Sequence, residues 1–173
     1  MLAALMPFVA LAVLAPTFAA GAPRTVRLAP PTATLALRAY AMGLLPIDSR
    51  FTRFDGSLTY DPAPPGRCTA SLTAFADSLE NANPAMRETI LGPEFLDAAH
   101  FPTLTFSGTC AAAEVVTGTL SLRGITRPLA MRLTWTAHGV TAEGEMRRAL
   151  WGMDARPFTV GPTIRLTVSV ALP

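Results

Sequence analysis

The chain has 173 residues, half of them hydrophobic and only 15% charged, with a formal net charge of +2. That length suits one domain, high hydrophobicity with few charges argues against disorder, and the small net charge argues against a nucleic-acid partner. All 14 basic residues are Arg, so a Lys nucleophile, Schiff-base chemistry and a phosphate-loop lysine are excluded.

Residues 1–22 read MLAALMPFVALAVLAPTFAAGA, with no charge and 18 apolar residues. Pro7 and Pro16 interrupt the run, and small residues end it. This is the pattern of a secretory signal peptide cleaved near 19–22. A membrane span would need about 20 unbroken apolar residues. An uncleaved anchor is the alternative reading. The mature domain is then 23–173.

Beyond this leader the chain alternates apolar and polar residues with period two, the signature of strands with one wet face. A short candidate lies at Arg24–Leu28, followed by Thr34–Ala41. Phe54, Leu58 and Tyr60 share a face opposite Arg53, Asp55 and Ser57. The run from Asp61 to Gly66 is a Pro-rich break, and Cys68–Phe75 resumes the pattern. Asn83 can cap a helix with Pro84 at its first position and Met86, Ile90 and Leu91 on one face. Gly92 and Pro93 stop it, and 93–99 can form a further turn. Strand candidates return at Thr103–Cys110 and Val116–Leu122. Arg123-Gly124 marks a hairpin into a run that begins near Arg127. Leu129–Ala137, Thr141–Leu150 and Ile164–Leu172 follow, with Gly161-Pro162 marking a bulge or a strand start.

Export to an oxidising compartment bears on the two cysteines. If Cys68–Phe75 and Thr103–Cys110 pair antiparallel with Phe75 opposite Thr103, then Cys68 lies opposite Cys110. A disulfide and two buried thiols both fit this register. Two cysteines with only His100 and His138 make a poor zinc set. No metal and no catalytic group is expected: there is no G-x-S-x-G, dinucleotide or phosphate-loop pattern, and Asp154, Glu143 and Glu145 read as solvated strand ends.

Eight amphipathic strands need cover for eight apolar faces, and one short helix cannot supply it. A two-sheet sandwich and a closed barrel remain. Phe54, Leu58, Leu72, Phe106, Leu120, Leu122, Met131, Leu133, Trp135, Met153 and Leu166 are the inward candidates. They form either a packed core or the wall of a ligand cavity.

Six segments in order resemble the YceI-like family. They are Arg50–Pro62 (RFTRFDGSLTYDP), Asp77-Ser78-Leu79 with Met86-Arg87, Leu91–Asp97 (LGPEFLD) with Phe101-Pro102 and Phe106, Gly118–Pro128 (GTLSLRGITRP), Arg148 with Trp151-Gly152, and Val160-Gly161. Thr32–Met42 (TATLALRAYAM) departs from the family's usual first strand. The resemblance implies a mainly all-β, lipocalin-like, eight-stranded antiparallel barrel with one helical insertion around 84–99. It implies a periplasmic, non-catalytic protein holding an isoprenoid lipid or quinone inside the barrel, with no other cofactor. On that reading the inward residues above contact the lipid, Arg148 is a structural or head-group contact, and His100 is a surface residue. Docking of a filled barrel on a membrane cytochrome is the second function the resemblance implies.

Overall fold

A computed structural model describes residues 22–62, 67–112 and 114–172. The leader before Ala22, and 63–66 of the Pro-rich break, lie outside the described residues. In chain order the strands are β1 (Arg24–Arg27), β2 (Ala33–Ala41), β3 (Leu45–Phe51), β4 (Phe54–Tyr60), β5 (Cys68–Phe75) and β6 (Leu79–Asn81). They continue as β7 (Thr103–Ala112), β8 (Val115–Leu122), β9 (Ile125–Thr136), β10 (Gly139–Arg147) and β11 (Thr163–Ala171). Helix α1 (Pro84–Leu91) joins β6 to β7, and single 3-10 turns cover Ala76–Ser78 and Arg148–Trp151. No helix among the described residues is long and apolar enough to cross a membrane.

The strands form one antiparallel sheet in the order β1-β4-β5-β7-β8-β9-β10-β11-β2-β3-β6. Three pairs of strands are bent single runs. β3 passes into β4 across Thr52-Arg53, and β5 into β6 across the 3-10 turn. β1 and β2 both pair along the β3–β4 run, from Arg24↔Tyr60 to Ala41↔Leu45. Counted as runs, the sheet has eight, and the β11–β2 ladder, Val170↔Ala33 to Arg165↔Arg38, closes it. The result is a curled antiparallel barrel that chooses between the two architectures left open by the alternation.

Local chemistry follows the residue pattern. Arg123 (φ 52°) and Gly124 (φ 70°) make the tight β8–β9 hairpin, whose turn type needs left-handed backbone at both centres. Gly118 faces Gly108, and a Cβ on Gly118 would lie 2.2 Å from the Ser107 carbonyl oxygen. The glycines thus let β7 and β8 approach at a point no side chain could occupy. Asn83 caps α1 by accepting from the amides of Ala85 (3.0 Å) and Met86 (3.3 Å). On the outer face, arginines fork onto cross-strand carboxylates: Arg38 on Asp48, Arg50 on Glu80 (2.8 Å) and Arg165 on Glu145 (2.8 Å). Such exposed pairs add little stability but keep the wet face soluble. The Arg38 hydrogen bond holds the Asp48 carboxyl below its ordinary range.

Three expectations are adjusted. β3 is a strand that the alternation did not single out. β9 begins at Ile125, two residues before the expected start near Arg127, because the hairpin ladder extends to Leu122 opposite Ile125. The strand expected to reach Leu150 ends at Arg147, where the chain turns inward to bury Trp151 and Met153.

The expected facing of the cysteines is present. Cys68 pairs with Cys110, and a disulfide joins them with Cα atoms 4.8 Å apart. It closes a sequence separation of 42 residues. Replacing both cysteines by Ala should lower stability by about 4 kcal/mol on the chain-entropy model. Denaturant unfolding of the variant beside the reduced and oxidised wild type measures this, and an unchanged midpoint would exclude a stabilising role.

Candidate functional site

The inward rows of the barrel bury Leu35, Phe51, Leu58, Leu120, Met131, Leu133, Leu166 and Val170, among others. Beside a wider groove of about 720 Å³ lined by the outer Arg–carboxylate pairs, three mostly apolar spaces lie among these rows. The largest of these three, about 310 Å³, lies under α1 at one end of the barrel. Its wall is mostly apolar, from Leu37, Ile47, Ile90, Phe95, Met153 and Ile164. Exposed Met42, Arg156 and Thr159 carry the wall to the surface, so this end is the mouth.

Two further cavities, about 60 and 50 Å³, lie deeper. Their order along the axis can be read on β11. Ile164 lines the mouth, Leu166 and Val168 the first inner void, and Val168 and Val170 the second. These inward positions are two residues apart, so each step descends by about 6.6 Å. Leu72, Phe106, Met131 and Val168 line both inner voids and form the partition between them. The far end of the barrel holds the disulfide and the Tyr60–Trp135 ring pair, 5.4 Å between centroids.

The polar groups of the mouth are already bonded within the protein. Ser49 accepts from Asn81 Nδ2 (3.0 Å), Thr89 donates to the Ala85 carbonyl (3.0 Å), and Arg156 pairs with Glu94 (2.6 Å). Arg148 is buried at 3% exposure. Its Nε donates to the Gly161 carbonyl (2.9 Å), one terminal nitrogen to the Met153 carbonyl, and the other to Val160 (3.0 Å) and, at 3.5 Å, to Arg156. Its guanidinium also lies over the Phe95 ring, 5.8 Å from the centroid. Burial pulls its pKa below the ordinary value, and the charge of Asp154 opposes this. Arg148 thus ties the 153–161 loop to the barrel and directs its donors at backbone rather than into the cavity.

The residues expected from the sequence to meet a ligand divide among these spaces. Arg148 and Met153 line the mouth. Leu72, Phe106, Leu120, Met131 and Leu166 line the first inner void, and Leu58 and Leu133 the second. Phe54, Leu122 and Trp135 contribute to none of the three. Phe54 and Leu122 are core, and Trp135 packs against Tyr60. His100 is exposed beside Asp97, 2.8 Å away. The mouth residues Leu37, Ile47, Met86, Ile90, Phe95 and Ile164 were not singled out. Their signal in the sequence is the alternation of Leu45, Ile47, Ser49 and Phe51 and the apolar face of α1.

Residues 27–172 match the model of the YceI-like domain. The chain belongs to the YceI-like family. A UPF0312 protein of Shewanella putrefaciens is 26% identical over 153 residues, covering 86% of this chain and 80% of the relative. Protein YceI of Salmonella newport is 29% identical over 93 residues, covering 51% of this chain and 49% of the relative. Among solved structures, Burkholderia cenocepacia BcnA superposes with a TM-score of 0.67 at 17% identity, covering 82% of this chain and 96% of BcnA. A polyisoprenoid binding domain from Saccharophagus degradans implicated in plant cell wall breakdown superposes with a TM-score of 0.57 at 13% identity. It covers 81% of this chain and 94% of that domain. At such identities the structural likeness establishes a shared fold.

The Arg148 clamp is testable. Arg148→Ala strips donors from the carbonyls of Met153, Val160 and Gly161. It should cost roughly 3 kcal/mol or more, since each buried group left unpaired costs about 1–3 kcal/mol. Thermal unfolding should show the loss, and limited proteolysis should cut first within 153–161. Arg148→Lys should fail to rescue, because an ammonium cannot span carbonyls placed for a guanidinium fork. Full rescue by Lys would show that charge alone matters.

Proposed function

We propose that this protein is a periplasmic lipid-binding protein that holds an isoprenoid chain, polyprenyl or quinone-linked, along the barrel axis with its head at the mouth under α1. The observation that carries the reading is the axial line of three apolar cavities, whose polar wall groups are bonded internally. Such a wall offers a hydrocarbon concave contact and little that a polar solute could use. Each methylene buried there contributes about 0.8 kcal/mol before ordering costs. Family membership and the likeness to a polyisoprenoid binding domain support the same ligand class, and the leader pattern supports export. The role is binding, with no chemical step assigned to any residue.

The mouth suits the head and first part of a tail, at the lower end of the usual range of about 300–1,000 Å³ for ligand sites. A longer tail would extend through the partition of Leu72, Phe106, Met131 and Val168. Met131 suits that task, since an unbranched thioether repacks at little cost.

The direct test is organic extraction of protein purified from the periplasm, followed by mass spectrometry. An isoprenoid at near-stoichiometric yield is expected; its absence from protein of native fold would reject the reading. Ile164→Trp should plug the neck between the mouth and the first inner void. It should reduce the lipid recovered by roughly ten-fold, the effect of about 1.4 kcal/mol of lost affinity, while circular dichroism stays unchanged. Undiminished lipid in the folded variant would count against the axial path.

A further inference from the structure

Four large apolar side chains stand out of the barrel at its mouth. Met42 is 65% exposed, Leu44 82%, Leu45 56% and Phe158 93%. They sit on two tips that are locked together. The Met42 amide donates to the Thr159 carbonyl (2.9 Å), the Gly161 amide donates to the Tyr40 carbonyl (2.7 Å), and Ala41 bridges Val160. In the β2–β3 hairpin Met42 has φ 48° and Gly43 has φ 72°, backbone that favours Asn-Gly. A bulky residue is uncommon there, and Met42 leaves most of its side chain in solvent. The whole stretch 39–47, AYAMGLLPI, carries no charge. An exposed apolar cluster of this kind marks an interaction surface.

The flank of the rim is basic. Leu150, 47% exposed, lies two residues after the Arg148 that clamps the 153–161 tip. Arg127 donates to the Leu150 carbonyl (3.2 Å), and Arg147 is the last residue of β10. Both arginines are exposed, and neither makes an ion pair among the described residues. Apolar tips flanked by guanidinium groups that make no ion pair fit the boundary of a bilayer, with hydrocarbon below and phosphate at the level of the cations.

We infer that this rim docks the mouth of the barrel on a lipid bilayer containing anionic lipid. Charge selects this occupant over a second copy of the chain. An isologous contact through the rim would set Arg127 and Arg147 against another copy's basic flank, whereas an anionic headgroup layer complements them. The inference is independent of what the barrel holds, because docking is read without reference to bound lipid.

The test is hydrogen–deuterium exchange of the full chain with and without protein-free vesicles of phosphatidylglycerol and phosphatidylethanolamine. With vesicles, the amides of 42–45 and of Phe158 and Thr159 should slow by roughly ten-fold, a protection of about 1.4 kcal/mol. The hairpin at 136–139, at the far end, should not change. Leu44→Asp with Phe158→Asp, both at exposed positions, should abolish the slowing while retaining the wild-type thermal midpoint. Any of four results would overturn the proposal. These are no slowing at the tips, equal slowing in the double variant, slowing that rises with protein concentration without vesicles, or slowing only in native membranes that carry a protein partner.

Discussion

At the corner where β3 becomes β4 and β5 becomes β6, the Thr52 amide and hydroxyl both donate to the Ser78 carbonyl, at 3.1 and 3.0 Å. The Phe75 amide and the Ser78 hydroxyl return to the Arg53 carbonyl, each at 3.1 Å. These bonds carry the ladder around a bend that would otherwise expose backbone on both sides. An open sheet of this size would present two long edges, each a template for aggregation. Closure removes the edges and also fixes the interior, since strand number and tilt set the barrel's width. The apolar tube, its mouth and its closed end are consequences of that constraint.

Within that width the sequence divides the inside by side-chain volume. Leu, Phe and Met from opposite walls meet at the partition and leave voids of about 60 and 50 Å³ on either side. Where α1 covers the end of the barrel, the filling is incomplete and the 310 Å³ space remains. Arg148 has a specific part here. It holds the 153–161 loop by its carbonyls, so the loop can form one side of the mouth without inserting its own polar backbone into the cavity.

Much of the fold was legible because the inward rows obey period two. Cys68–Phe75 matches its strand to the residue, and setting Phe75 opposite Thr103 yields the register in which Cys68 faces Cys110. β3 was not legible. Its inward row contains Ser49, and Pro46 interrupts the outward one, so the signal fell below that of its neighbours. The site was legible in class rather than in place. Alternation finds what points inward, but it cannot distinguish Phe54, which is core, from Leu72, which lines two voids. That distinction depends on how opposite walls meet. The mouth depends on α1, and a helix covering a cavity and one covering a core present the same apolar stripe.

The closed hydrogen-bond ring also constrains how any guest reaches the inner voids. Widening the barrel would break ladder bonds around its circumference, each of which leaves buried backbone unpaired. Rotating side chains at the partition breaks none. The partition is built from Leu72, Phe106, Met131 and Val168, and Phe106 and Leu72 are only partly buried. Leu, Phe and Met turn about several bonds, whereas β-branched Val168 is stiff and marks the fixed part of the wall. Space inside this barrel is therefore gained by repacking three side chains against a rigid frame, with the backbone unchanged from mouth to closed end.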